Sequence, residues 1–274
     1  MSRRPEWWLY FLAKIWPITW ISAQATKWPV VGGFIARLTI PMFSKKNLNI
    51  SYIPINATVE GATSSPLPAT IVEELIRRSS HRVIINRCTC RDARQCKDHP
   101  VEYGCLLMGE GTREIDPRIA RHVSVDESIE HHHKLVADGL IPMTGRVKVD
   151  NFIWGVRDRG KLLTVCYCCR CCCTILNSGK YFPPEAAKSL VMLKGIDIVV
   201  DNTRCTGCGA CVAECFMDAI TLGNGTARHN TETCKGCGRC ATVCPNNAVT
   251  VLVRDMDAAV KDITGRIDSL IDYR

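Results

Sequence analysis

"CTGCGACVAEC" at residues 205–215 and "CKGCGRCATVC" at residues 234–244 share the spacing C-x2-C-x2-C-x3-C, and Gly207 and Gly209 recur as Gly236 and Gly238. The offset is 29 residues throughout, and Ala219, Ile220 and Thr221 return as Ala248, Val249 and Thr250. Self-similarity at a fixed offset marks an internal duplication. Three thiolates at two-residue intervals can wrap one face of an iron-sulfur cubane when the intervening glycines let the chain turn tightly and aim amides at sulfur. Structural zinc usually draws cysteine pairs from separated turns, so four thiols from one such loop favour iron.

Residues 196–253 resemble a bacterial-type two-cluster ferredoxin domain. In that family the fourth cysteine of each motif binds the cluster of the other half. The resemblance therefore implies Cys205, Cys208, Cys211 and Cys244 around one [4Fe-4S] cluster, and Cys234, Cys237, Cys240 and Cys215 around the second. One departure is visible: Phe216 stands where the pattern has the proline seen at Pro245. That proline shapes a turn and is not a ligand, so the implied cluster survives its loss.

Ten cysteines remain: Cys88, Cys90, Cys96 and Cys105, and then Cys166, Cys168, Cys169, Cys171, Cys172 and Cys173 within "CYCCRCCC". The pair of motifs, CxCR from Cys88 and CxCCxCCC from Cys166, resembles the amino-terminal half of a largely uncharacterised group of ferredoxin-type iron-sulfur proteins. Adjacent residues project in different directions on a strand or a helix, so one run can serve two sites. One or two further iron-sulfur clusters are expected in this half, with zinc or a redox-active disulfide or persulfide centre as alternatives. Arg91, Asp98 and His99 lie among the first cysteines and could donate hydrogen bonds to such a centre.

Eighteen cysteines, most of them one to three residues from the next, could not pair as disulfides without strain. The formal net charge is +8, but each oxidised cluster with its four thiolates brings about −2, so two clusters lower the excess to about +4. The basic balance is therefore poor support for nucleic acid, and no nucleic-acid-binding motif accompanies it. There is no GxGxxG, no P-loop and no separate CxxxCxxC, so no flavin, nucleotide or radical chemistry is indicated.

Trp7, Trp8, Trp16, Trp20 and Trp28 are five of the six tryptophans. The longest uncharged run there, residues 15–26, falls short of the roughly 20 residues a spanning helix needs. The readings are peripheral membrane contact, a subunit contact through residues 1–45, cover for the protein's own core, or an export signal built on Arg3-Arg4 and Ala23-Gln24-Ala25. The expected location is cytoplasmic, with membrane association or twin-arginine export as alternatives.

The stretch 56–68 reads as a linker. Apolar spacing predicts a helix over residues 69–80, and "RVIIN" a strand running into Cys88. Ser124 and Glu127 form a capping-box pattern for a helix ending near Gly139. His131, His132 and His133 on that helix diverge by about 100 degrees each and cannot converge on one metal. Further helices are expected at 183–194 and from Met256 through Leu270.

The expected fold class is α+β, a duplicated two-cluster ferredoxin domain following a mixed α/β cysteine-rich domain. The divisions are 1–60, an aromatic docking segment; 61–195, a cysteine-rich domain; 196–254, the ferredoxin domain; and 255–274, an amphipathic helix. The expected function is single-electron transfer between redox partners as part of an oxidoreductase complex in anaerobic metabolism. The competing expectation is a reductase whose amino-terminal centre acts on a substrate.

Overall fold

The computed structural model describes residues 4–39, 44–59 and 67–274. Arg3 of the export-like motif and residues 60–66 of the linker-like stretch lie outside the described residues. The chain is α+β. Its strands are β1 Leu48–Tyr52, β2 Ala57–Val59, β3 Arg82–Ile85, β4 Leu106–Met108, β5 Ala120–His122, β6 Ile141–Val147, β7 Leu163–Cys168, β8 Ile196–Val200, β9 Ile220–Gly223, β10 Thr226–His229 and β11 Val249–Val253.

Six strands form an antiparallel sheet in the order β1-β6-β7-β4-β3-β5. Side chains alternate across it with the two-residue period of a strand. Ile84, Leu106, Met108, Val165 and Tyr167 face the helices Leu67–Arg78, Val125–Ala137 and Met256–Asp268. Val83, Ile85 and Leu107 face Trp8, Leu9 and Leu12 of the first helix, Trp7–Ile15. Both faces are covered, which is why β6 is buried almost throughout, Thr144 and Arg146 included.

The carboxy-terminal third builds a smaller sheet in which β11 is central, antiparallel to β8 and parallel to β2, beside the β9-β10 hairpin. Residues 48–59 thus supply one strand to each sheet. Phe216 ties the two units further: its ring packs edge-on against Tyr52 at 5.4 Å, in a cluster with Ile50, Met143 and Leu176. The aromatic residue at the position where the ferredoxin pattern has proline is an anchor.

The helix expected at 183–194 is cut to Pro184–Ala187. Beyond it the backbone runs extended along β1, with the Ile50 N–H donating to Ser189 O (3.0 Å) and the Val191 N–H donating to Ile50 O (2.8 Å). β1 is an edge strand, and its free backbone groups outcompete the local helical tendency. The capping box forms as the sequence predicts: Glu127 N–H donates to Ser124 Oγ, and Ser124 N–H to the Glu127 carboxylate. Ser124→Ala removes one of these bonds and should lower the unfolding free energy by about 1 kcal/mol, read as a shift in the denaturant midpoint at constant m-value.

Candidate metal centres

All eighteen cysteines are free thiols. Cys205, Cys208, Cys211 and Cys244 line one pocket, walled by Leu222, Ala227 and Val249. Cys215, Cys234, Cys237 and Cys240 line a second, walled by Ile198, Phe216 and Ile220. Each pocket joins three thiols of one motif to the fourth of the other, because the short helices Ala210–Glu214 and Arg239–Thr242 carry the chain from one pocket toward the other. Backbone amides aim at the sulfurs: Ala227 at Cys205 (3.4 Å), Ala248 at Cys244 (3.2 Å), Ala219 at Cys215 (3.2 Å) and Gly236 at Cys234 (3.3 Å).

The glycine at 207 is required where it stands. Its φ is 65°, and a Cβ there would lie 2.4 Å from Gly225 O. Burial pushes the Cys237 thiol up to about 12, so this group becomes a thiolate at neutral pH only by exchanging its proton for a metal. Cys208 is the exposed member of the set.

The other ten thiols divide into two groups on opposite sides of the large sheet. Cys166 and Cys168 alternate with Val165 and Tyr167 along β7 and so face away from the Val165 side, toward the cluster of Ile50, Tyr52 and Leu176. There Cys166 Sγ lies 3.1 Å from Cys105 Sγ, and Cys168 Sγ 3.2 Å from Cys173 Sγ. Cys88 and Cys90, flanking the start of the helix Thr89–Arg94, complete this set: Cys88 interacts with Cys90 and Cys173, and Cys90 with Cys168. The second group is Cys96, Cys169, Cys171 and Cys172, whose sulfurs all lie within 4.8 Å of one another.

Arg91 stands between the groups. It is 1 % exposed and donates to Tyr103 O (2.5 Å) and Tyr167 O (2.6 Å), and no carboxylate pairs with it among the described residues. Burial alone would push its pKa down; the thiols of Cys88, Cys169, Cys105 and Cys168 hold it above the ordinary value. A buried cation without a carboxylate calls for another anion. Arg91 Nε and Tyr52 Oη are both buried without a hydrogen-bond partner among the described residues. Tyr52 lies electrostatically close to Cys173, Cys168, Cys237 and Cys166. An anionic thiolate-bound metal centre in the six-thiol group fits both donors.

The other flagged side chains serve structural ends. His99 Nδ1 pairs with Asp138 (2.6 Å), while the Asp98 and His99 amides point at Cys96. The three histidines go separate ways, His131 to Gly104 O, His132 to the Tyr167 hydroxyl and His133 to Glu73. Residues the sequence did not flag include Tyr52, Thr174 and the pair Arg170 and Glu214. Glu214, next to Cys215, accepts from Arg170 of the cysteine run (2.5 Å) and from Arg239 (2.9 Å). Glu214, directly before the ligand-spaced Cys215, was the available signal.

The two pockets, each lined by four thiols drawn from both motifs, indicate an iron-sulfur electron-transfer protein. Residues 196–250 match the family model described as a 4Fe-4S dicluster domain. No curated protein matches the chain.

Proposed function

We propose that the protein carries electrons along a line of three iron-sulfur centres: one held by Cys205, Cys208, Cys211 and Cys244, one by Cys215, Cys234, Cys237 and Cys240, and one within the six-thiol group of Cys88, Cys90, Cys105, Cys166, Cys168 and Cys173. A bound cubane supplies a one-electron site whose potential follows its charge, hydrogen bonds and burial. Tyr52 carries this reading, because it shares one buried cluster with Cys168 and Cys173, and both Cys166 and Cys237 of the ferredoxin unit pack against that cluster. The chain's own groups do the tuning: amides donate to the ferredoxin thiols, and Arg91 supplies a fixed positive charge beside the six.

The two ends of the line differ. Exposed Cys208 opens one end to a water-soluble redox partner. At the other end, the Trp16 indole N–H donates to Thr174 Oγ1 (2.6 Å), and Thr174 Oγ1 lies 3.2 Å from Cys90 Sγ. The aromatic helices therefore sit directly on the six-thiol group, and the partner we assign to their outer face is an anionic bilayer surface.

Iron and acid-labile sulfide per chain on anaerobically purified protein test the count. About twelve sulfides are expected, and about eight would confine clusters to the ferredoxin unit and end the three-centre reading. Six thiols exceed the four of a cubane, which favours a second reading in which this centre reduces a substrate. A change in the cluster spectrum on adding small ligands such as cyanide or carbon monoxide would select that reading, and an unchanged spectrum the carrier.

A further inference from the structure

We propose that Cys96, Cys169, Cys171 and Cys172 bind a single tetrahedral divalent thiophilic ion, zinc or ferrous iron, and not a further cubane. Size separates the two kinds of centre. Four thiolates at about 2.3 Å from one ion at tetrahedral angles stand about 3.8 Å from each other. The quartet's sulfurs, all within 4.8 Å of one another, match that spacing. A cubane places an iron-sulfide cage between its thiolates and forces them further apart. The same chain shows the contrast: the eight ferredoxin thiols are spread around two pockets, and the quartet is the one close group of metal-ligating side chains among the described residues.

The ligands come from two separated turns, one cysteine from the first and three from the second, in place of the usual two pairs. Gln95, in the left-handed region at φ 49°, ends the helix Thr89–Arg94 and turns Cys96 inward. The other three come from the tight turn after β7, where Cys173 N–H closes on Cys169 O (3.2 Å). Cys169 and Cys172 are buried and Cys96 and Cys171 half-buried. An open cleft lined by Arg87, Cys96, Lys97 and His99 gives an ion a way in. Binding releases the four thiol protons and leaves a net charge of −2, offset by Arg91, which already interacts with Cys169.

The proposed ion clips the CxCR helix to the end of β7, fixing the two segments that supply five of the six thiols on the sheet's other side. It requires no electron transfer, so its test is separate from that of the carrier reading. Metal and acid-labile sulfide are measured on full-length wild-type protein and on Cys96→Ser and Cys172→Ser, all purified anaerobically. Each variant should lose one zinc or one iron per chain while sulfide stays constant, the metal lost identifying the ion. Loss of about four irons together with four sulfides, or no loss of metal, would overturn the proposal. Should the variants fail to fold, X-ray absorption of the wild type decides: zinc with four sulfurs at about 2.3 Å supports the site. With no zinc, an excess of one iron over sulfide supports it. Equal iron and sulfide without zinc rules it out.

Discussion

Cys237→Ala should remove about four irons and four labile sulfides per chain, half of what two proposed centres in the ferredoxin unit would hold. Cys215→Ala, 22 positions earlier and in the other motif, produces the same loss. The two lie on one pocket with Cys234 and Cys240, whereas Cys211, only four residues from Cys215, lies on the other pocket. Neighbours in sequence should therefore behave differently and distant residues alike. If each motif instead kept its own cluster, Cys215→Ala would match Cys211→Ala, and Cys237→Ala would stand apart. Iron and sulfide analysis gives the count, and electron paramagnetic resonance of the dithionite-reduced double variant separates the cases. Cys215→Ala with Cys237→Ala should leave one isolated cluster signal free of coupling to a neighbour. Two clusters lost in that double variant would contradict the crossed arrangement.

The reach of the sequence follows how local each feature is. The ferredoxin motifs were legible because their spacing and glycines sit within eleven residues, and the capping box because it spans four. The partition of the ten remaining thiols was not legible, since it depends on strand register. β4 pairs with β7 so that Leu106 meets Val165, which sets Cys105 opposite Cys166. Nothing within either segment specifies that register; the apolar alternation of both strands against the helices does. Period-2 alternation along "VCYC" keeps Cys166 and Cys168 on one face, and it is the adjacent residues Cys168 and Cys169 that show how one run can feed two sites. The helix expected at 183–194 failed for the complementary reason. Its local pattern was sound, but an edge strand about 140 residues earlier in the chain offered its backbone a better partner. Phe216 shows the same logic at a single position. Judged only against the ferredoxin pattern it is a missing proline, and only the contact with Tyr52 explains what it does.

The protein should float with vesicles containing phosphatidylglycerol and remain behind with neutral phosphatidylcholine vesicles at moderate salt. Eleven of the fifteen exposed large apolar side chains among the described residues fall between Trp7 and Leu38, including Trp7, Ile18, Trp28, Val30, Phe34 and Leu38. Between Trp7 and Val59 the chain has no Asp or Glu, while Lys14, Lys27, Arg37, Lys45 and Lys46 are exposed and basic. No described helix is long and apolar enough to cross a membrane, so the surface suits helices lying at the headgroup level. Each basic residue near an anionic leaflet contributes about 1 kcal/mol and is screened by salt. A fully buried large apolar side chain contributes roughly 1.5–3 kcal/mol. Trp7→Ser, Trp28→Ser and Phe34→Ser together should therefore lose at least about 3 kcal/mol, roughly a hundredfold in partitioning. The cluster spectrum should stay unchanged, because Trp8 and Trp16, which bond to Ile153 O and Thr174, remain in place. Equal binding to neutral vesicles would remove the electrostatic half of the argument. A wild-type oligomer that the triple variant converts to monomer, with no vesicle binding by either, would reassign the face to a second copy of the chain. Retained vesicle binding by the triple variant would place the contact elsewhere. A positive result would set a bilayer against the end of the line where Trp16, Thr174 and Cys90 meet, and the membrane-side redox partner would then be sought there.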